Sequence, residues 1–283
     1  MKMKFVMVSV AFAVTIGAVA WGMNWVNLGE FLTNSEQSLS QKKNNGNNQE
    51  QDRDGDTPEQ SECLQMVRSA YRHVSEIGND EGVTQVRYSI STTASVMGKI
   101  ATTKADIELL VAKNKLQMTG GPMEVWQDEH VKITLIPNRN LIYVGDTDPR
   151  RFKQAQSPLV LALQDSLLGL SQVVQCVEKK GDNGRILKQV SLRFPEKLQT
   201  QTRLSDMSIT IDPTQQMIRQ VRMQYLPESQ IKEMEMTIHS IETDFQNNAF
   251  HQTVLQQFLD KQGNLLPKYA DYKIIDVRTT KNK

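Results

Sequence analysis

The side chains of this chain that could perform acid-base, nucleophilic or metal chemistry are far apart in the sequence. The four histidines are scattered, at His73, His130, His239 and His251. None belongs to a His-Glu-x-x-His motif or to another paired-ligand spacing. The sequence also has no Gly-x-Ser-x-Gly elbow and no glycine-rich phosphate loop. Asp146, Asp148 and Arg150-Arg151 follow a predicted strand, where a solvated loop is the simplest interpretation. We therefore predict no enzymatic activity, no metal site and no cofactor.

The two cysteines, Cys63 and Cys176, are too few and too distant in sequence for a metal site. In an exported chain they could instead form a disulfide that joins an N-terminal helix to a strand. The sequence alone leaves this pairing open, because disulfide geometry depends on the fold.

The N-terminus has the features of an export signal. Lys2 and Lys4 precede the uncharged run Phe5–Gly17, and Ala18-Val19-Ala20 resembles a cleavage site. We predict a signal peptide over residues 1–20. The alternative is a membrane anchor that extends to about residue 26, since apolar residues continue past the cleavage pattern. Either interpretation predicts a periplasmic or otherwise exported protein.

Residues 27–61 are predicted to be a disordered polar linker. From Ser35 to Glu62 the chain is rich in Gln, Asn, Ser, Gly and Asp, a composition that cannot bury enough apolar surface to fold. The linker is mildly acidic and the whole chain has a formal net charge of +1, so nothing indicates a nucleic-acid partner. Residues 62–260 then have the length of one domain, followed by a tail over 261–283.

Methionines occupy the apolar side of several alternating segments. In Lys232–Ser240, Met234, Met236 and Ile238 share one parity, and glutamates and a threonine occupy the other. Such alternation predicts an antiparallel sheet with one buried and one wet face. Because methionine is flexible and polarizable, a face rich in it can adapt to an irregular partner.

The remaining pattern predicts helices around that sheet. An amphipathic helix is expected over Leu64–Ile77, with Ser61 as its cap, and a second over Leu159–Leu170, with Pro158 at its first position. The expected strands are Thr84–Ile90, Lys104–Ala112, Lys115–Thr119, Met123–Gln127, His130–Ile136, Asn140–Gly145, Gln172–Lys179, Ile186–Arg193, Met207–Asp212, Met217–Leu226, Lys232–Ile241 and, in the tail, Tyr272–Val277. The predicted fold class is therefore α+β, with a strongly curved antiparallel sheet (a half or incomplete barrel) and covering helices.

Two segments resemble a known family. Within Asn114–Asp146, the run Val125-Trp126-Gln127-Asp128 resembles the W-x-D-G turn of the outer-membrane lipoprotein carrier (LolA-like and LolB-like) superfamily. The segment Ser208–Val221, with Asp212-Pro213 at a strand end, resembles that family's second motif. The resemblance spans roughly Leu64 to Leu259, although Glu129 stands where the family usually has glycine.

The resemblance implies an exported carrier or sensor whose apolar groove binds acyl lipid or a lipoprotein, with possible membrane-protein partners. We expect a monomer. The groove candidates are Met118, Trp126, Ile133, Leu135, Tyr143, Met207, Ile209, Met217, Met223, Met234, Met236 and Ile238. Four helical residues are candidates for a lid: Met66, Tyr71, Leu163 and Leu167. Each of these residues could instead belong to an ordinary core. The alternative function is an extracytoplasmic protein-interaction or regulatory module without lipid cargo.

Overall fold

A computed structural model describes residues 57–76, 82–112, 114–147, 168–181 and 184–278. Helix α1 spans Pro58–Glu76 and α2 spans Glu196–Thr202. The strands are β1 (Thr84–Val96), β2 (Lys99–Ala112), β3 (Lys115–Thr119), β4 (Glu124–Gln127), β5 (Val131–Ile136), β6 (Leu141–Asp146), β7 (Gln172–Lys180), β8 (Ile186–Arg193), β9 (Leu204–Asp212), β10 (Met217–Tyr225), β11 (Ile231–Glu242) and β12 (Lys273–Asp276). Short 3-10 turns lie at Pro137–Arg139, Leu255–Gln257 and Pro267–Tyr269.

The strands form one open, curled sheet in the order β12-β6-β5-β4-β3-β2-β1-β11-β10-β9-β8-β7. All pairs are antiparallel except β12, which adds in parallel to the edge of β6. The predicted fold class, an α+β incomplete barrel, is confirmed. The tail strand is also present, although the sequence did not indicate its parallel direction.

Helix α1 begins six residues earlier than predicted. Thr57 caps it and forms a capping box with Gln60: the Gln60 backbone amide donates to Thr57 Oγ1 at 3.3 Å, and the Thr57 amide donates to Gln60 Oε1 at 2.8 Å. Pro58 occupies the first helical position, which suits a residue without an N–H group. Thr57 therefore has the capping role predicted for Ser61. The predicted helix Leu159–Leu170 lies almost entirely outside the described residues.

One face of the sheet, termed the inner face, is apolar across seven neighbouring strands. A row of residues in register crosses it: Ala105, Ile90, Met236, Val221, Ile209, Val190 and Cys176. Helix α1 packs on the inner face over β7 to β10, where Val67 and Ala70 are fully buried. A Cys63–Cys176 disulfide joins α1 to β7. This arrangement fixes the helix over one half of the sheet.

The opposite face, termed the outer face, is polar over β9 to β11 but apolar over β4 to β6. There Trp126, Ile133 and Ile142 pack against Val254 and Phe258 of the C-terminal segment. The Phe258 ring stacks on Tyr269 at 4.6 Å between centroids and meets Trp126 edge-on at 4.9 Å. This second core is separate from the inner face.

Candidate functional site

The inner face is closed in its middle and half open toward one end. Nine partly buried apolar side chains pack against its core. Six of them form what we call the rim: Ile90, Ala105, Met118, Met123, Met207 and Ile231. The rim lies toward the end of the sheet from which the β1–β2 hairpin projects. The other three, Met66, Cys176 and Ile241, lie on α1, on β7 and near the end of β11.

Strand direction places the rim residues toward the same end of the sheet. Met118 is the penultimate residue of β3, Met123 directly precedes β4, and Ile231 begins β11. Met207 pairs with Leu192 and Met223, both of which are buried in the core. Three of the six side chains are methionines, which can repack around a variable partner. The rim is therefore a deformable apolar opening onto a closed core.

Most of the predicted groove residues lie on the inner face, but they differ in accessibility. Met118 and Met207 are on the rim, and Tyr143 is half-buried on the same face over β6. The others on this face are buried in its closed core: Ile209, Met223, Met234, Met236 and Ile238. Met118, Met207 and Tyr143 are therefore more accessible to solvent than the other five.

The assignment of three aromatic and aliphatic candidates to this groove is wrong. Trp126, Ile133 and Leu135 lie on the outer face, where the C-terminal segment covers them. They follow the opposite parity because Val125 and Thr134, their neighbours in sequence, pair with each other on the inner face. They form a structural core and are not part of the rim.

Met217 is also misplaced by the sequence pattern. A bulge in β10 between Ile218 and Gln220 shifts the register, so Ile218 occupies the inner face and Met217 pairs with Asp212 on the other parity. A simple alternation count across Met217–Tyr225 does not detect this extra residue. Met217 is therefore outside the inner-face core.

The lid candidates are only partly within the described residues. On α1, Tyr71 is buried in the core and Met66 packs against it while half-buried. Burial raises the pKa of the Tyr71 phenol well above its ordinary value. Leu163 and Leu167 lie outside the described residues. Helix α1 thus covers the part of the inner face over β7 to β10, and the disulfide ties it in place.

The inner face becomes polar over β4 and β5. Gln127 and Lys132 pair there, and Thr134 follows on the same parity. Desolvation by burial lowers the pKa of Lys132 to about 8. Gln127 and Lys132 lie in register with Leu116 of the closed core, whereas Thr134 lies in register with Met118 of the rim.

The turn between β4 and β5 is built on one carboxylate. Asp128 Oδ1 accepts hydrogen bonds from the backbone amides of His130 and Val131, each at 2.9 Å, and Oδ2 accepts one from the Val254 amide at 3.0 Å. Partial burial acts to raise the pKa of Asp128, but these three hydrogen bonds outweigh it and hold the pKa below its usual range. Asp128 therefore closes the turn and attaches the C-terminal segment. The sequence pattern located this residue without indicating its second contact.

A serine and a histidine come together on the outer face, but the geometry does not suit catalysis. His239 Nε2 lies 3.1 Å from Ser89 Oγ at the bulge between β1 and β11. Ser89 is buried, so a substrate cannot approach its hydroxyl along an attack trajectory. Among the described residues, no cluster of His, Cys, Asp or Glu could hold a metal ion. This pair acts as a cross-strand hydrogen bond.

Comparison with known proteins finds similarity at the level of the fold. No protein-family model matches the sequence, and no curated protein sequence matches it. An uncharacterized conserved protein from Thermus thermophilus has 10% identity and a TM-score of 0.35, covering 76% of this chain and 99% of its own. A putative outer membrane lipoprotein-sorting protein domain from Vibrio parahaemolyticus has 9% identity and a TM-score of 0.29, covering 68% and 97%. A LolA superfamily protein from Nitrosomonas europaea also has 9% identity and a TM-score of 0.29, covering 67% and 96%.

Proposed function

We propose that this chain binds an extended apolar ligand of the acyl-chain type at the rim, and that it carries or senses this ligand outside the cytoplasm. The observation that carries the proposal is the half-buried apolar rim beside the closed core of the inner face. A face that serves only as a core would gain free energy by burying these six side chains as fully as their neighbours.

The composition of the rim suits a chain-shaped ligand. Each methylene moved from water into an apolar site contributes on the order of 0.8 kcal/mol. About ten buried methylenes would therefore reach the micromolar range before the cost of ordering the ligand is subtracted. Methionines allow the opening to accept chains of different shape. The sequence resemblance to lipoprotein carriers supports the same class of ligand.

Two features support a location outside the cytoplasm. The Cys63–Cys176 disulfide needs an oxidising compartment to persist. The N-terminal sequence has the pattern of an export signal. Within the described residues, no helix has the length and apolar character needed to cross a membrane.

The proposal is tested by titrating the full chain with a fluorescent long-chain fatty acid. A Met118→Gln/Met207→Gln double variant introduces two amides at the rim, and we expect the affinity to fall at least about tenfold because their desolvation opposes binding. The control is Met217→Gln, a half-buried methionine outside the inner-face core, which should leave the affinity unchanged.

Native mass spectrometry of the chain purified from its own membranes gives an independent result. We expect a bound acyl lipid. Absence of lipid, together with no binding of the fatty acid by the wild type, would contradict the proposal and favour a protein-interaction module. Met223 and Met236 are unsuitable for this test because both are fully buried, so their substitution would report on folding.

A further inference from the structure

The β1–β2 hairpin extends beyond the rest of the sheet. Strand β3 pairs with β2 only from Glu108 to Ala112, and β11 pairs with β1 only as far as Ala94. Among the described residues, no strand pairs with the outer edge of β2 over Lys99–Ala105. The tip of the hairpin therefore projects into solvent at the same end of the sheet as the rim.

The tip presents apolar side chains that are largely exposed to solvent. Met97 is 100% exposed and Ile100 is 71% exposed. Met97 also has a φ of 50°, and Gly98 follows with a φ of 78°. Such turns favour Asn or Gly at the first position, because a longer side chain is strained in the left-handed region. Methionine at this position serves neither the packing of the domain nor the turn.

The hairpin carries charge of one sign. Between Ser91 and Ala105 the charged residues are Lys99 and Lys104, both exposed, and the segment contains no Asp or Glu. The first acidic residue of β2 is Asp106, which lies closer to the body of the sheet than Lys99 and Lys104. The hairpin is thus apolar at its tip, with Lys99 beside the tip and Lys104 farther back, on the free edge of β2 where β1 is still paired with β11.

Hydrogen bonds across and beside the hairpin hold it in a defined shape. The Thr93 and Thr102 hydroxyls lie 2.9 Å apart across the strands, and Thr103 Oγ1 donates to the Thr92 carbonyl at 3.5 Å. The Ser95 amide donates to the Gln230 carbonyl at 2.7 Å. A tip held in this way loses little conformational freedom on binding.

We propose that the β1–β2 hairpin is a docking element for an anionic lipid bilayer. Met97 and Ile100 enter the interfacial region, and Lys99 and Lys104 contact lipid phosphates. Such a bilayer can bury the apolar side chains in its interfacial region, and its negative surface potential attracts the lysines beside them. This inference goes beyond the proposed ligand, since it assigns a membrane contact to a different part of the molecule. It would bring the rim to the surface from which an acyl chain is taken.

The test measures membrane contact at the hairpin itself, so that vesicle binding through the N-terminal segment does not contribute to the signal. The two native cysteines are joined in a disulfide, so a cysteine introduced as Ser95→Cys can be labelled selectively with an environment-sensitive dye. Vesicles of phosphatidylcholine with phosphatidylglycerol should shift the dye emission to the blue, and vesicles of phosphatidylcholine alone should shift it much less. Lys99→Glu/Lys104→Glu should raise the lipid concentration for half-maximal shift at least about tenfold, since each lysine contributes roughly fivefold.

Met97→Asn separates a membrane role from a structural one. Asparagine suits the turn better than methionine, so the variant should be at least as stable as the wild type. It should nevertheless weaken the vesicle-induced shift. The matched control is the β9–β10 hairpin at the opposite end of the sheet, where Thr214 is exposed and neither a lysine nor an exposed large apolar residue lies between Asp212 and Met217. The dye at Thr214→Cys should show no shift with either type of vesicle.

Three outcomes would overturn the inference: an equal shift with both vesicle types, an equal shift at both labelled positions, or full binding by the charge-reversed and Met97→Asn variants. A dye shift on addition of an extended acidic peptide and none with vesicles would assign the free edge of β2 to a protein strand instead.

The fatty-acid titration is run on the same tip variants. Unchanged fatty-acid binding with no vesicle contact would reject the hairpin while leaving the ligand proposal intact.

Discussion

Asp128 connects two parts of the molecule through one carboxylate. It binds the backbone of its own turn with one oxygen and the Val254 amide with the other. We expect Asp128→Ala to lower the free energy of unfolding by about 2 kcal/mol, because three amides lose a charged acceptor. Chemical denaturation at pH 7 would measure this, with the exposed neighbour Glu129→Ala as the control, expected to change little.

The effect of Asp128 should depend on pH in one direction. Its pKa is lowered in the folded state, so its stabilisation is complete above the unfolded pKa of about 4 and is lost as the pH falls through the folded value. The difference between wild type and Asp128→Ala should therefore shrink in acid. A difference that stays constant as the pH falls well below the unfolded pKa would contradict this role.

Lys132 is expected to destabilise the fold at neutral pH. Its pKa is about 8 in the folded state against about 10.4 when unfolded, so the unfolded chain binds more protons between these values. The contribution of Lys132 to wild-type stability should rise over that interval and be constant below it. Lys132→Met should add about 1 kcal/mol at pH 7, and this advantage should vanish toward pH 10, on the order of the unfolded pKa.

Chemical denaturation as a function of pH checks this prediction. The exposed residue Lys261 supplies the control, because Lys261→Met should change stability by less than about 0.5 kcal/mol at any pH. A stability gain in Lys132→Met that persists unchanged to alkaline pH would show that the charge of the lysine is not its cause.

Helix α1 and β7 form a covalently joined pair of elements. The Cys63–Cys176 disulfide closes a loop with a sequence separation of 113 residues. We expect Cys63→Ala/Cys176→Ala to lose about 4 kcal/mol of unfolding free energy, chiefly through the entropy of the unfolded chain. Denaturation with and without reductant measures it: the reductant should reproduce the loss in wild type and have no effect on the variant. A loss below about 1 kcal/mol would mean that packing alone holds the helix.

Elements with one buried face were the ones that the sequence predicted best. Lys115–Thr119 and Ile186–Arg193 have the predicted bounds, and the buried residues of the two strands, Leu116, Val190 and Leu192, all belong to the inner-face core. The outer parts of β1 and β2 were missed, since both of their faces meet solvent and Ser91–Thr103 has no apolar alternation to detect. The Met97-Gly98 pair was the available signal for that turn. Helix α2 was missed because it has only seven residues, too few for a periodic pattern.

At the scale of the whole molecule, composition and order of elements predicted an incomplete barrel, and the sheet has that architecture. The division of its apolar residues between two cores could not be predicted. Val125 and Trp126 are adjacent apolar residues between polar ones, so alternation does not assign either to a face. Val125 belongs to the inner-face core, and Trp126 packs with Phe258 on the outer face. The rim could not be predicted either, because the partial exposure of its side chains depends on where the neighbouring strands end.

The location of an acyl chain on this molecule tests the account most directly. A fatty acid with a photoreactive terminal group, crosslinked to the full chain and mapped by peptide mass spectrometry, should label peptides that contain Met118, Met123, Met207 or Ile231, and an unlabelled fatty acid should compete. Labelling confined to the C-terminal aromatic residues, or labelling that no competitor reduces, would contradict a ligand site at the rim.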